Sequence, residues 1–123
     1  MIDRYEFYNR NPDGAFEEDC VCRAISMATG LKYRAVNNLL TWSADYNDCD
    51  RLCVCCYRHL LDDVLELNGY DCDFRRTVHE VAKRHKDQKL IIRVEGHLTC
   101  SMYGTIVDIW DCSDELVDRF WIV

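Results

Sequence analysis

The chain has 123 residues, enough for one domain around a single core, and its apolar fraction of 49% is that of a globular protein, not a disordered one. A net charge of −7 argues against a nucleic-acid partner, and no apolar run approaches the roughly 20 residues that a membrane span needs. The first residues, Met1-Ile2-Asp3-Arg4-Tyr5-Glu6, hold no apolar signal-peptide core, so the expected compartment is the cytoplasm. The nine cysteines are then read as reduced thiols and not as a disulfide frame.

Tyr5, Phe7 and Tyr8 suggest a short edge strand or an anchoring arm. Asn9-Arg10-Asn11-Pro12-Asp13-Gly14 is dense in turn formers and leads toward Cys20. Val21, Ala24, Ile25 and Ala28 then recur at helical spacing, with Gly30 as a left-handed stop. Asp19 is the expected N-cap, its carboxylate accepting from a first-turn N–H. Cys20 therefore falls in the first turn, where unpaired N–H groups and the helix dipole favour thiolate over thiol. The ordinary alternative is a small buried hydrophobe. Glu17, Glu18 and Asp19 oppose a thiolate, and Arg23 and a protonated His97 are needed to offset them. The same acids are compatible with a basic substrate.

A second helix is expected from Tyr33 to about Trp42, a loop over 43–50, and a third helix from about Arg51 to Asn68 with Gly69 as its stop. Cys49, Cys53, Cys55, Cys56 and His59 are residue types that zinc sites use, but the paired Cys-x-x-Cys spacing is missing. On a helix, Cys49, Cys53, Cys56 and Leu60 share one stripe, as core packing would produce, so no metal or cofactor is expected. Tyr70 to Phe74 reads as a short strand. Thr77-Val78-His79-Glu80 is a capping box opening a helix to about His85. Strand-forming runs follow at Leu90–Val94, His97–Met102, Thr105–Trp110 and Arg119–Val123. Helices first and antiparallel strands second give an α+β domain, with the N-terminal helices packed on one face of a small C-terminal sheet.

A cysteine nucleophile needs a base and a group to orient that base. Of the four histidines, His97 is favoured: it follows Gly96 and opens a strand, a rigid mount at the rim of the sheet. If Tyr103-Gly104 is a two-residue turn, Met102 pairs with Thr105 and His97 with Trp110. Asp108 then lies on the His97 face, one diagonal step away, within reach of a carboxylate–imidazole hydrogen bond. Asp111 would fall on the other face, and a one-residue slip in the turn would reverse the preference. Asp108 is first choice and Asp111 second. Oxyanion donors are expected from the Cys20 backbone N–H and from a loop amide, Asn11 ahead of Asn9. Cys22 is near enough in sequence to be a redox partner of Cys20 but should face another side of the turn.

Asp19-Cys20-Val21-Cys22-Arg23-Ala24-Ile25, Thr29-Gly30, Gly96-His97-Leu98-Thr99 and Asp108-Ile109-Trp110-Asp111 resemble the motifs of small phage and bacterial proteins with a papain-like cysteine peptidase fold. These are often compared with the bacteriocin-processing (C39-like) peptidases. The likeness spans nearly the whole chain. It departs from the pattern at Val107, where an aromatic is usual, and at Gly14, six residues before the cysteine, where many papain-like enzymes carry Gln. The resemblance implies Cys20 as nucleophile, His97 as base and an acid from Asp108–Asp111 as its orienter. It implies a thiol hydrolase, a peptidase, amidase or isopeptidase, acting on a peptide or protein. The rivals are a non-catalytic binding or inhibitor module on the same fold, and a zinc-stabilised interaction domain built on the 49–59 cluster.

Overall fold

A computed structural model describes residues 4–14, 19–48 and 54–123. Glu17, Glu18, Cys49 and Cys53, which the sequence reading used, lie outside the described residues, as do the side chains of Cys55 and Cys56.

The domain is α+β, with a six-stranded mixed sheet ordered β1-β5-β4-β3-β6-β2. The elements in chain order are β1 (Tyr5–Phe7), α1 (Cys20–Thr29), α2 (Tyr33–Asn47), α3 (Val54–His59), β2 (Asn68–Asp71), α4 (Val78–Arg84), β3 (Lys89–Val94), β4 (His97–Met102), β5 (Thr105–Asp108) and β6 (Val117–Ile122). A π-helical turn, Leu60–Val64, continues α3. The sheet is not purely C-terminal: β1 joins one edge, parallel to β5, and β2 joins the other, antiparallel to β6.

The helices cover both faces, not one. Strand β3 explains why: Leu90, Ile91, Ile92 and Val94 are all buried, so each face offers apolar surface that must be covered. Ile91 packs with Val21, Ile25, Val36, Leu40 and Trp121 under α1 and α2. Leu90, Ile92 and Val94 pack with Val78, Val81 and Ala82 of α4 on the opposite side. The Thr77 capping box fixes the start of α4, with Glu80 N–H donating to Thr77 Oγ1 at 3.2 Å and Thr77 N–H to Glu80 Oε1 at 3.1 Å.

Two helix ends differ from expectation. Helix α2 continues through residues 43–47, because Ser43 and Ala44 are buried and Asp48 supplies the left-handed stop at φ 53°. After α3, the wider π turn lets consecutive leucines, Leu60 and Leu61, both be fully buried. Glu66, at φ 54°, then turns the chain out of the helix. Gly69 is consequently a strand residue in β2, not a helix stop. A side chain there would collide with the guanidinium of Arg119, which crosses it.

The hairpin between β4 and β5 closes as the turn residues require. Tyr103 and Gly104 both have positive φ, 54° and 90°, and Met102 pairs with Thr105. Trp121 of β6 joins sheet to helices: it is fully buried, its Nε1 donates to Asp62 at 2.7 Å, and Tyr57 meets it edge-on at 6.4 Å. Trp121→Ala should therefore lower unfolding stability by about 3–5 kcal/mol, read by chemical denaturation; a loss under about 1 kcal/mol would contradict this packing.

Candidate active site

Helix α1 and the hairpin β4–β5 meet at Cys20, His97 and Asp108. The imidazole hydrogen-bonds the Asp108 carboxylate, Nε2 donating to Asp108 Oδ2 at 2.7 Å, and the same ring lowers the pKa of the Cys20 thiol. Alternation brings the acid and the imidazole together: Val107 faces the α1 core, Ile106 packs in the α4 core, and Asp108 follows Ile106. The other Asp108 oxygen accepts the Ile109 backbone N–H at 2.7 Å. Asp108 itself is only 5% exposed. Its backbone carbonyl is tied to the N-terminal arm, accepting from Tyr8 N–H at 3.0 Å and Tyr5 Oη at 3.1 Å.

Asp19 begins α1, but its side chain does not cap the first turn. Its carboxylate is drawn sideways into a buried network instead. Arg23 Nη1 donates to Oδ1 at 2.6 Å, while Tyr33 Oη and Asn11 Nδ2 donate to Oδ2 at 2.7 and 3.0 Å. The Asn11 amide, expected as an oxyanion donor, donates to Asp19. The Cys20 backbone N–H, the other expected oxyanion donor, stands in the first turn of α1, where the Asp19 side chain makes no capping bond. Arg23 reaches across the site, its Nη2 3.8 Å from Asp108 Oδ1.

Asp111 is displaced from the imidazole as well. Its carboxylate accepts from the Ser113 backbone N–H at 3.0 Å and from the Ser113 hydroxyl, closing a local turn. The other three histidines lie elsewhere: His59 Nδ1 sits 2.6 Å from Ser43 Oγ, His85 Nδ1 2.9 Å from Gln88 Oε1, and His79 lies on α4. Cys22 points away from Cys20, its Sγ 3.3 Å from the Tyr33 carbonyl. Cys20, Cys22, Cys72, Cys100 and Cys112 are free thiols.

Two further side chains border the imidazole. Trp110 tilts against His97 with ring centroids 5.0 Å apart, shielding it from water. The Cys112 thiol, set by the Asp111–Ser113 turn, has its sulfur within 4.8 Å of an imidazole nitrogen. Beside Cys20 a pocket opens between α1 and the hairpin, lined by Tyr8, Arg10, Met27, Leu98 and Val107.

The electrostatics oppose burial and overcome it. Desolvation pushes the Cys20 thiol up, but the hydrogen bonds from His97 and the Leu98 backbone N–H, with the charges of His97 and Arg23, bring it below its ordinary value. Burial likewise works against imidazolium at His97, yet its hydrogen bonds to Asp108, Cys112 and Cys20 and the Asp108 charge raise it to about 11. Its folded value exceeds its unfolded one, so the stability it contributes is complete below the ordinary 6.5 and is lost as pH rises through about 11.

No family model, curated protein or solved structure matches the chain. Among the described residues no helix is long and apolar enough to cross a membrane.

Two measurements check this geometry. Iodoacetamide should alkylate Cys20 with an apparent pKa below the ordinary thiol value of 9.0, and His97→Ala should carry it upward, because burial then acts with less opposition. Asp108→Asn should slow alkylation by about tenfold or more, while Asp111→Asn should stay within about twofold of the parent. The reverse ranking of the two acids would overturn the hydrogen-bond assignment.

Proposed function

We propose that the protein is a papain-like thiol hydrolase acting on peptide, isopeptide or amide bonds. The observation that supports this most directly is the His97 imidazole, held to Asp108 at 2.7 Å and acting on the Cys20 thiol to lower its pKa, mounted across a helix and a sheet. Nucleophile, base and orienting acid are the three roles that acyl transfer to sulfur requires. Asp108 occupies Nε2, which leaves Nδ1 to exchange a proton with the sulfur.

In the forward step the Cys20 thiolate attacks a substrate carbonyl, and the negative oxygen that develops is met by first-turn amides of α1. His97 imidazolium gives its proton to the departing amine, and a thioester forms on Cys20. The neutral imidazole then takes a proton from water, which attacks the thioester and frees the thiol. Asp108 holds the ring in one orientation and stabilises its cationic form throughout. Trp110 limits water access to the same ring. The substrate would be an extended peptide laid in the cleft beside Cys20, and the acidic surface suits one with basic residues.

An activated acyl ester tests this in a mass spectrometer. A thioester on Cys20 ahead of the other eight cysteines is expected, absent in Cys20→Ala and slowed by about a hundredfold or more in His97→Ala. Acylation spread evenly over the cysteines would sink the hydrolase reading. Selective acylation that never turns over would favour a binding module that has kept the site.

A further inference from the structure

We infer that His97, Asp108 and Cys112 form a site for a thiophilic divalent cation of the Zn²⁺ class, which silences Cys20 by capturing its base. The imidazole nitrogen, carboxylate oxygen and thiol sulfur all lie within 4.8 Å of one another. Nitrogen, oxygen and sulfur ligands in that combination suit a borderline metal such as zinc. In a tetrahedral site with bonds of about 2.0–2.3 Å, ligand atoms stand roughly 3.4 Å apart. Asp108 Oδ2 and His97 Nε2, now 2.7 Å apart, need to open by less than an ångström.

The mount is rigid and secluded. Cys112 is 1% exposed and Asp108 5%. The Cys112 backbone is pinned on both sides: Asp111 accepts from Ser113 N–H at 3.0 Å, Glu115 N–H donates to the Cys112 carbonyl at 3.1 Å, and the Ser113 carbonyl accepts from His79 N–H at 3.0 Å. Three ligands so held leave the fourth position for a water.

Binding proceeds with a clear balance. Metal–nitrogen, metal–oxygen and metal–sulfur bonds form, the Cys112 S–H and the His97 Nε2–H break, and both protons leave to solvent. No electrons are transferred. The bound imidazole keeps a proton on Nδ1 and has no lone pair free there, so it cannot take the proton of Cys20. The consequence for Cys20 rests on the hydrolase reading, whereas the metal site rests on the ligand geometry alone.

The test uses the full chain, reduced and stripped by a chelator, then loaded with Co²⁺ or Zn²⁺. Co²⁺ should give a sulfur-to-metal charge-transfer band with tetrahedral ligand-field absorption, and Cys112→Ser should remove the band. Zn²⁺ should slow Cys20 alkylation by about tenfold or more, reversibly with chelator, and the slowing should shrink below about twofold in Cys112→Ser against that variant's own metal-free rate. A second variant with Cys49, Cys53, Cys55 and Cys56 all replaced by Ser should keep the band. The proposal is overturned if the band is missing from the parent, or if it survives Cys112→Ser and disappears with the fourfold variant. A Cys112-dependent band on a protein whose Cys20 is no more reactive than its other thiols would uphold the metal site and remove the hydrolase. A reactive Cys20 indifferent to Zn²⁺ would do the opposite.

Discussion

A buried guanidinium ties the site together. Arg23 is 6% exposed, is paired with Asp19 one helical turn earlier, and lies within 3.8 Å of Asp108 on the hairpin. Two carboxylates could not share this interior without it, since an uncompensated buried charge costs several kcal/mol. The same residue fixes the helix against the sheet and decides where the Asp19 side chain goes. Drawn to Arg23, Tyr33 and Asn11, that side chain is kept off the start of α1.

Around this anchor the site solves an electrostatic problem. Burial alone would make Cys20 a poor nucleophile and His97 a neutral base. Hydrogen bonds from His97 and the Leu98 N–H, with the Arg23 charge, tip the thiol toward its anion, while Asp108 tips the ring toward its cation. Each charge favours the other. The Trp110 ring and the buried backs of β4 and β5 keep water from screening the pair.

Much of this was legible in particular residues. Tyr103-Gly104 set the hairpin register, and the register chose Asp108 over Asp111. Thr77 and Glu80 marked the start of α4, and Gly30 the end of α1. Long-range partners stayed hidden. Nothing in Asn11 announces that its amide will be taken by Asp19, because the loop and the helix meet only in three dimensions. The parallel pairing of β1 with β5, and the place of α4 on the second face, depend on tertiary burial that local periodicity does not encode. Gly69 looked like a stop because Arg119, the side chain that crosses it, lies fifty residues on in β6. Cys112 carries no mark in the sequence, since its closeness to the imidazole arises only from the Asp111–Ser113 turn.

The wide separation along the chain between the sulfur and its partners has a temporal consequence. During synthesis Cys20 emerges long before the β4–β5 hairpin that carries His97 and Asp108. Until that hairpin docks, the cysteine is an ordinary thiol. The acidity of this one sulfur therefore depends on elements far apart in the chain.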